Sequence, residues 1–237
     1  MKLVVGNQKS YLDKNKMDDF IKGIEKIKGS NVILCPSSIY LNEFNKSDIL
    51  LGSQNVSKYD SGATTGELSW EQLKSIGVNF SIVGHSERRE KLNESIEDTK
   101  IKVSKLLENK MVPILCVGET KEERDANQTK AVILNELEGA LKDLDNDSIQ
   151  KVIIAYEPIW SIGTGVIPSN NEIEEISKYI RDFIKDKYNG SNILLYGGSV
   201  SVKNIDELNK IDIVDGYLIG GASTKIDEFI QIIEKCK

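Results

Sequence analysis

The chain holds one histidine, His85, and only three cysteines, Cys35, Cys116 and Cys236. The cysteines are odd in number and widely spaced; two sit in apolar runs (VILC and ILC) and one near the C-terminus. This argues against a disulfide framework or a zinc site and favours reduced, structural thiols in a cytoplasmic protein. A basic excess is also missing. The formal net charge is -6, and the lysines are scattered as solvated faces of amphipathic stretches, without the basic stripe of a nucleic-acid binder. No apolar run approaches the roughly 20 residues of a membrane span. Residues 1–6 form too short an apolar run for a signal peptide, and polar residues follow. There is no linker, no low-complexity segment, and no glycine-rich dinucleotide fingerprint after the first apolar run.

What is present is alternation. Short β-type apolar runs cover residues 2–6, 31–35, 49–54, 79–84, 112–118, 151–156, 193–197 and 216–220. Several, such as VILC, VPILCV and VIIAY, are apolar at every position, as strands buried on both faces of a helix-covered parallel sheet are. Between them lie stretches of helical period. Residues 18–28 align Phe20, Ile21, Ile24 and Ile27; residues 95–110 align Ile101, Val103, Leu106 and Leu107. Residues 120–144, 172–188 and 224–235 do the same, and shorter helices are expected at 39–45, 70–75 and 201–210.

Eight β-then-α units in 237 residues imply a parallel α/β architecture. The count favours a single (β/α)8 TIM barrel, one domain over residues 1–237, whose usual length is about 250 residues. An open doubly wound sheet of up to eight strands stays open on pattern alone.

In a (β/α)8 barrel the chemistry sits at the C-terminal ends of the strands. The first run ends in Asn7-Gln8-Lys9, which places a cation at the mouth. The fourth ends in Gly84-His85-Ser86-Glu87-Arg88-Arg89. Its lone histidine precedes a Ser-Glu helical start, where the positive helix end opposes an imidazolium. A neutral imidazole there can polarise a carbonyl. The sixth ends in Tyr156-Glu157-Pro158-Ile159-Trp160, a carboxylate straight after an apolar strand. Buried there it is unfavourable unless paired or useful. Behind it, residues 158–168 carry prolines at both ends and glycines between them, a rigid segment that could swing on its ends. The seventh and eighth runs end in Gly197-Gly198-Ser199 and Gly220-Gly221-Ala222-Ser223. Paired glycines there let backbone N–H groups approach an anion, and phosphate sites in this fold often form after strands seven and eight.

Together these segments closely resemble the triosephosphate isomerase family, from Leu3 to Ser223. The most specific stretches are Gly84 to Arg89 and Tyr156 to Gly165; residues 62–67, 116–119, 196–200 and 220–223 support them. The resemblance implies the isomerisation of a triose phosphate through an enediolate, without metal or organic cofactor. It implies Glu157 as the base, His85 as the neutral electrophile, and Lys9 with Asn7 beside it as electrostatic partners of the substrate. It implies Gly163, Ser199, Gly220 and Gly221 as phosphate-binding backbone, Glu87 as a support for Lys9, and Ser86 as a resting partner of Glu157. Residues 158–168 resemble the family's lid. The loop from Gln54 to Glu67 resembles its subunit-crossing loop, with Thr65 reaching the partner's site, so a homodimer is expected.

Three departures stand out. Gln8 replaces the usual Trp and is expected to face away from the substrate, altering packing and not chemistry. Val166 stands at the lid's far hinge, where many members carry Lys. The chain is slightly short. Another phosphate-binding barrel enzyme would share the glycine pairs, and a barrel kept for binding would lack an intact Asn7, Lys9, His85 and Glu157.

Overall fold

The computed structural model describes residues 1–27, 31–44 and 49–237. Eight parallel strands close into a barrel in chain order: β1 (Leu3–Asn7), β2 (Val32–Cys35), β3 (Leu50–Ser53), β4 (Phe80–Val83), β5 (Val112–Val117), β6 (Ile153–Tyr156), β7 (Leu194–Tyr196) and β8 (Gly216–Ile219). β8 pairs with β1, with Tyr217 opposite Val4. That pairing rules out the open doubly wound sheet.

The strand pattern explains the closure. Val5, Ile33, Cys35, Ile82, Ile114, Cys116, Ile153, Ala155, Leu195 and Leu218 fill the barrel interior. Their neighbours Val4, Leu34, Leu115 and Ile154 belong to a second, larger core between barrel and helices. Side chains alternate across a strand, so a run that is apolar at every position feeds both cores. Deep inside, Ser53 and Ser81 satisfy each other, the hydroxyls 2.9 Å apart.

Helix starts follow their caps. Ser69, Ser95, Thr120 and Ser169 each form a capping box with the residue three positions on. The cap at Ser169 starts its helix at Asn170, two residues earlier than hydrophobic period alone suggests. Asp13 accepts from the Lys16 N–H and starts the first helix at Lys14–Lys22; a 3-10 turn at Ile24–Lys26 follows, and Lys28 lies outside the described residues. The expected helix at 39–45 is a 3-10 segment, Ser38–Phe44, and Asn45 also lies outside the described residues. The single helix expected over 120–144 is two, Lys121–Asp125 and Thr129–Leu141. Asn127 adopts φ 57° between them, a left-handed residue that no continuous helix accommodates. The expected helix over 201–210 shrinks to Ile205–Leu208. One short helix, Asn146–Ile149, has no counterpart in the sequence expectations.

Candidate active site

The ends of β1, β4, β6, β7 and β8 surround a cavity of about 1080 Å³. Asn7, Lys9, His85, Glu157, Gly163, Ser199, Gly220 and Gly221 all line it, so the structure brings together the eight residues named as catalytic or substrate-binding.

His85 caps the helix Ser86–Leu92: its Nδ1 accepts the Glu87 N–H at 3.2 Å. A ring nitrogen that accepts carries no proton, so the network assigns the proton to Nε2. That nitrogen lies 3.1 Å from Glu157 Oε1. Both side chains are buried, Glu157 at 1% exposure. Glu157 follows β6 directly, and its backbone N–H donates to the Val117 carbonyl at 2.8 Å. Its Oε2 accepts from Ser86, through the backbone N–H at 3.4 Å and not through the hydroxyl. Desolvation alone would raise the Glu157 carboxyl. His85, the Arg89 guanidinium and the Ser86 N–H outweigh it and hold the group below the ordinary carboxylate value. The carboxylate is therefore held in its ionised form, the form able to take up a proton.

Lys9 sits at φ 51°, a left-handed conformation that turns the chain sharply after β1. Its N–H donates to Asn7 Oδ1 at 3.1 Å, and its Nζ pairs with Glu87 at 2.7 Å. Gly220 backs onto the same ammonium: a Cβ there would stand 3.6 Å from Lys9 Nζ. Nothing lies within 4 Å of the Cβ positions of Gly221 or Gly163, which leaves their backbone open to a ligand.

The segment 158–168 begins with a 3-10 turn, Ile159–Ser161, and bends at Gly163 (φ 72°) and Gly165 (φ 76°). Trp160 Nε1 donates to Glu119 at 2.9 Å, and the Arg124 guanidinium lies 3.8 Å over its ring. Burial raises the Glu119 carboxyl even though Trp160 and Tyr156 donate to it. Val166 is exposed at the far end. Thr65 is exposed and does not line this chain's own cavity.

Several residues that shape the site escaped the sequence reading. Arg89 lies inside the fourth-strand motif but drew no role. It pairs with Glu136, whose other oxygen accepts the Gly118 N–H at 2.9 Å. Gly118 packs on the Glu157 backbone so tightly that a Cβ would fall 1.7 Å from the Glu157 carbonyl oxygen. At Gly197 a Cβ would meet Glu157 Cγ at 2.8 Å. Glu94 accepts from the Gly84 N–H at 3.1 Å, from Lys102 at 2.6 Å and from Arg88. It thereby pins the residue before His85. The pairing of Arg89 with Glu136 spans 47 positions, and no local pattern signals it.

The family model described as triosephosphate isomerase matches residues 2–236. Among curated proteins, the chain is 44% identical to a triosephosphate isomerase of Alkaliphilus metalliredigens, over 85% of each chain. It is 40% identical to one of Mycoplasmoides gallisepticum, covering 98% of this chain and 96% of the relative. With one of Francisella philomiragia it shares 37% identity, covering 99% and 96%.

Proposed function

The chain belongs to the triosephosphate isomerase family, and from that premise we propose how its barrel mouth works. The enzyme is an isomerase that interconverts D-glyceraldehyde 3-phosphate and dihydroxyacetone phosphate, a step of glycolysis and gluconeogenesis. The observation that carries the residue assignment is the pairing of His85 Nε2 with Glu157 Oε1 at 3.1 Å, beside the Lys9 ammonium in one cavity.

Moving a proton between adjacent carbons needs a base that reaches both and a donor that serves both oxygens. Glu157 takes the proton from the carbon next to the carbonyl. The electron pair of that C–H bond becomes the carbon–carbon double bond of an enediolate, and the negative charge moves to oxygen. The His85 Nε2–H donates to that oxygen, and Lys9 offsets the charge. The hydroxyl proton passes by way of His85 Nε2 to the former carbonyl oxygen, and Glu157 returns its proton to the neighbouring carbon as the second oxygen becomes the carbonyl. Donors fixed in advance stabilise such charge better than solvent, which must reorganise. Gly163, Ser199, Gly220 and Gly221 hold the phosphate by backbone N–H groups, and Asn7 and Glu87 orient Lys9. The segment 158–168 closes over the substrate and keeps water from the enediolate.

The proposal extends to assembly and place. A second cavity of about 630 Å³ adjoins Asn7, Lys9 and His85 and is walled by Gln54, Gly66 and Leu92. Ile39, Leu92, Tyr11 and Tyr59 are more than half exposed, and a partner surface would cover them. These features support a homodimer in which the loop carrying Thr65 enters the partner's second cavity. The three cysteines are free, which supports a reducing, cytoplasmic setting. Among the described residues no helix is long and apolar enough to cross a membrane. We take residues 1–237 as one domain, its first and last strands being neighbours.

The test is isomerisation of glyceraldehyde 3-phosphate by the purified protein, followed through a coupled reductase without added metal. Fast turnover is expected. A folded protein that fails to form dihydroxyacetone phosphate would point to a repurposed barrel.

A further inference from the structure

Between Asn7 and Lys9, which both face the main cavity, stands Gln8, which lines neither cavity and is 1% exposed. Its Nε2 donates to the Ser223 carbonyl at 3.1 Å. The reverse amide orientation would set two oxygens against each other, so the donor fixes the assignment. Its Oε1 has no hydrogen-bond partner among the described residues. Burying an amide with its acceptor unused disfavours the fold, and an apolar side chain of similar size would avoid that penalty. What the amide adds is its bond to Ser223.

Ser223 is itself fully buried and closes the turn that follows β8: its N–H and its Oγ both donate to the Gly220 carbonyl, at 2.9 and 2.6 Å. The same turn presents Gly220 and Gly221 to the cavity. On the Gln8 side the anchoring is equally firm, since the Gln8 N–H donates to the Cys35 carbonyl at 3.1 Å. One side chain therefore joins the segment that carries Lys9 to the turn that carries the glycine N–H groups.

We propose that Gln8 is a positioning residue for phosphate binding: its amide locks the 220–224 turn in register with Lys9, so that the backbone N–H groups meet the phosphate of the same substrate whose reacting oxygens the ammonium faces. This rests on the assignment of Gly220 and Gly221 to the phosphate and of Lys9 to the charge on the reacting oxygens. Preorganisation of this kind acts on binding: a turn free to drift must be ordered each time an anion arrives. Gln8 touches no reacting atom, so the turnover step is spared.

The test replaces Gln8 with methionine, which is close in volume and cannot donate. Inorganic phosphate, as a competitive inhibitor of triose turnover, is the probe. In Gln8→Met its Ki and the substrate KM are expected to rise together by roughly three- to tenfold, the range of one lost neutral hydrogen bond. The kcat is expected to stay within about twofold, and any fall in melting temperature reflects the buried Ser223 carbonyl left without its donor. Unchanged Ki and KM, or a loss confined to kcat or to melting temperature, would overturn the proposal by making Gln8 a packing residue only. If Gln8→Met fails to fold, Gln8→Glu supplies the comparison within a single protein. Burial raises its carboxyl. When ionised it cannot donate to Ser223; when protonated it can. Its KM relative to the parent should then be elevated at alkaline pH and recover as pH falls, and a ratio independent of pH would overturn the proposal. A parent that turns over the triose but is not inhibited by phosphate would instead overturn the phosphate-site assignment underneath.

Discussion

His85 Nε2 and Glu157 Oε1 lie 3.1 Å apart, while the other imidazole nitrogen is held by the Glu87 N–H. The two groups proposed to serve one substrate thus contact each other directly. On the proposed mechanism a triose phosphate is expected to separate them, with the carboxylate turning from Ser86 and His85 to carbon and the Nε2–H turning to oxygen. The helix that starts at Ser86 fixes the tautomer and so leaves the ring only one role, that of donor toward the cavity.

Replacing His85 with glutamine should therefore act on two scales. Turnover should fall by roughly 10²- to 10³-fold, as when a single preorganised donor is removed. Stability should fall by only about 1 kcal/mol, the usual contribution of a helix cap. Steady-state kinetics and a thermal melt on the same preparation separate the two. A wild-type kcat would remove His85 from the mechanism.

At Gly197 an added Cβ would stand 2.8 Å from Glu157 Cγ, and the base must move to admit it. A displacement of about 1 Å is enough to lower a rate roughly 10²-fold. Gly197→Ala is expected to fold and to lose kcat on that scale. Full activity would show that the placement of Glu157 tolerates more than its packing implies.

Glu94 connects acid stability to the site. Burial alone would raise its carboxyl, but Lys102 and Arg88 outweigh that and hold it below the ordinary 4.5. A carboxyl depressed in the folded state stabilises the protein at pH above its unfolded value, and that contribution is lost as pH falls through the folded value. Glu94→Gln leaves two cations without their carboxylate and should cost about 3–5 kcal/mol near neutral pH. The gap between variant and parent should narrow below pH 4.5. Denaturant unfolding at neutral and acidic pH measures it, and a gap that stays constant would contradict the pairing.

The exposed Ile39, Leu92, Tyr11 and Tyr59 should be covered in solution. Sedimentation at micromolar concentration is expected to show a species of twice the 26.5 kDa chain mass. Thr65→Trp, in the loop proposed to enter the partner, should shift it toward the single chain. Only a 26.5 kDa species in the parent would defeat the homodimer.

How much of this was legible in the chain differs by element. The strands were, because runs such as residues 112–117 must feed two apolar cores at once and so carry no polar interruption. Barrel closure was favoured by the count of units, but it became certain only with the contact between Val4 and Tyr217, residues at opposite ends of the chain. Hydrophobic period read through the break at Asn127, because the residues on either side keep a helical face and only a backbone angle interrupts it. At the site, Lys9, His85 and Glu157 were visible from their places at strand ends. Arg89, Glu136 and Glu94 were not, since they act on the backbone of Gly118 and Gly84 across distances that no motif spans. Gln8 was expected to face away from the substrate; its bond to Ser223, 215 positions on, had no local signal at all.

The most direct measurement is the turnover of Glu157→Asp and Glu157→Gln beside the parent, with a melting curve for each. The aspartate withdraws the base by one methylene and the glutamine removes it, while both keep a polar side chain facing His85. Both variants should fold, with kcat lowered by roughly 10²- to 10⁴-fold, the range a positioned general base supplies. Parental turnover in a folded Glu157→Gln protein would show that the proton is moved by another group.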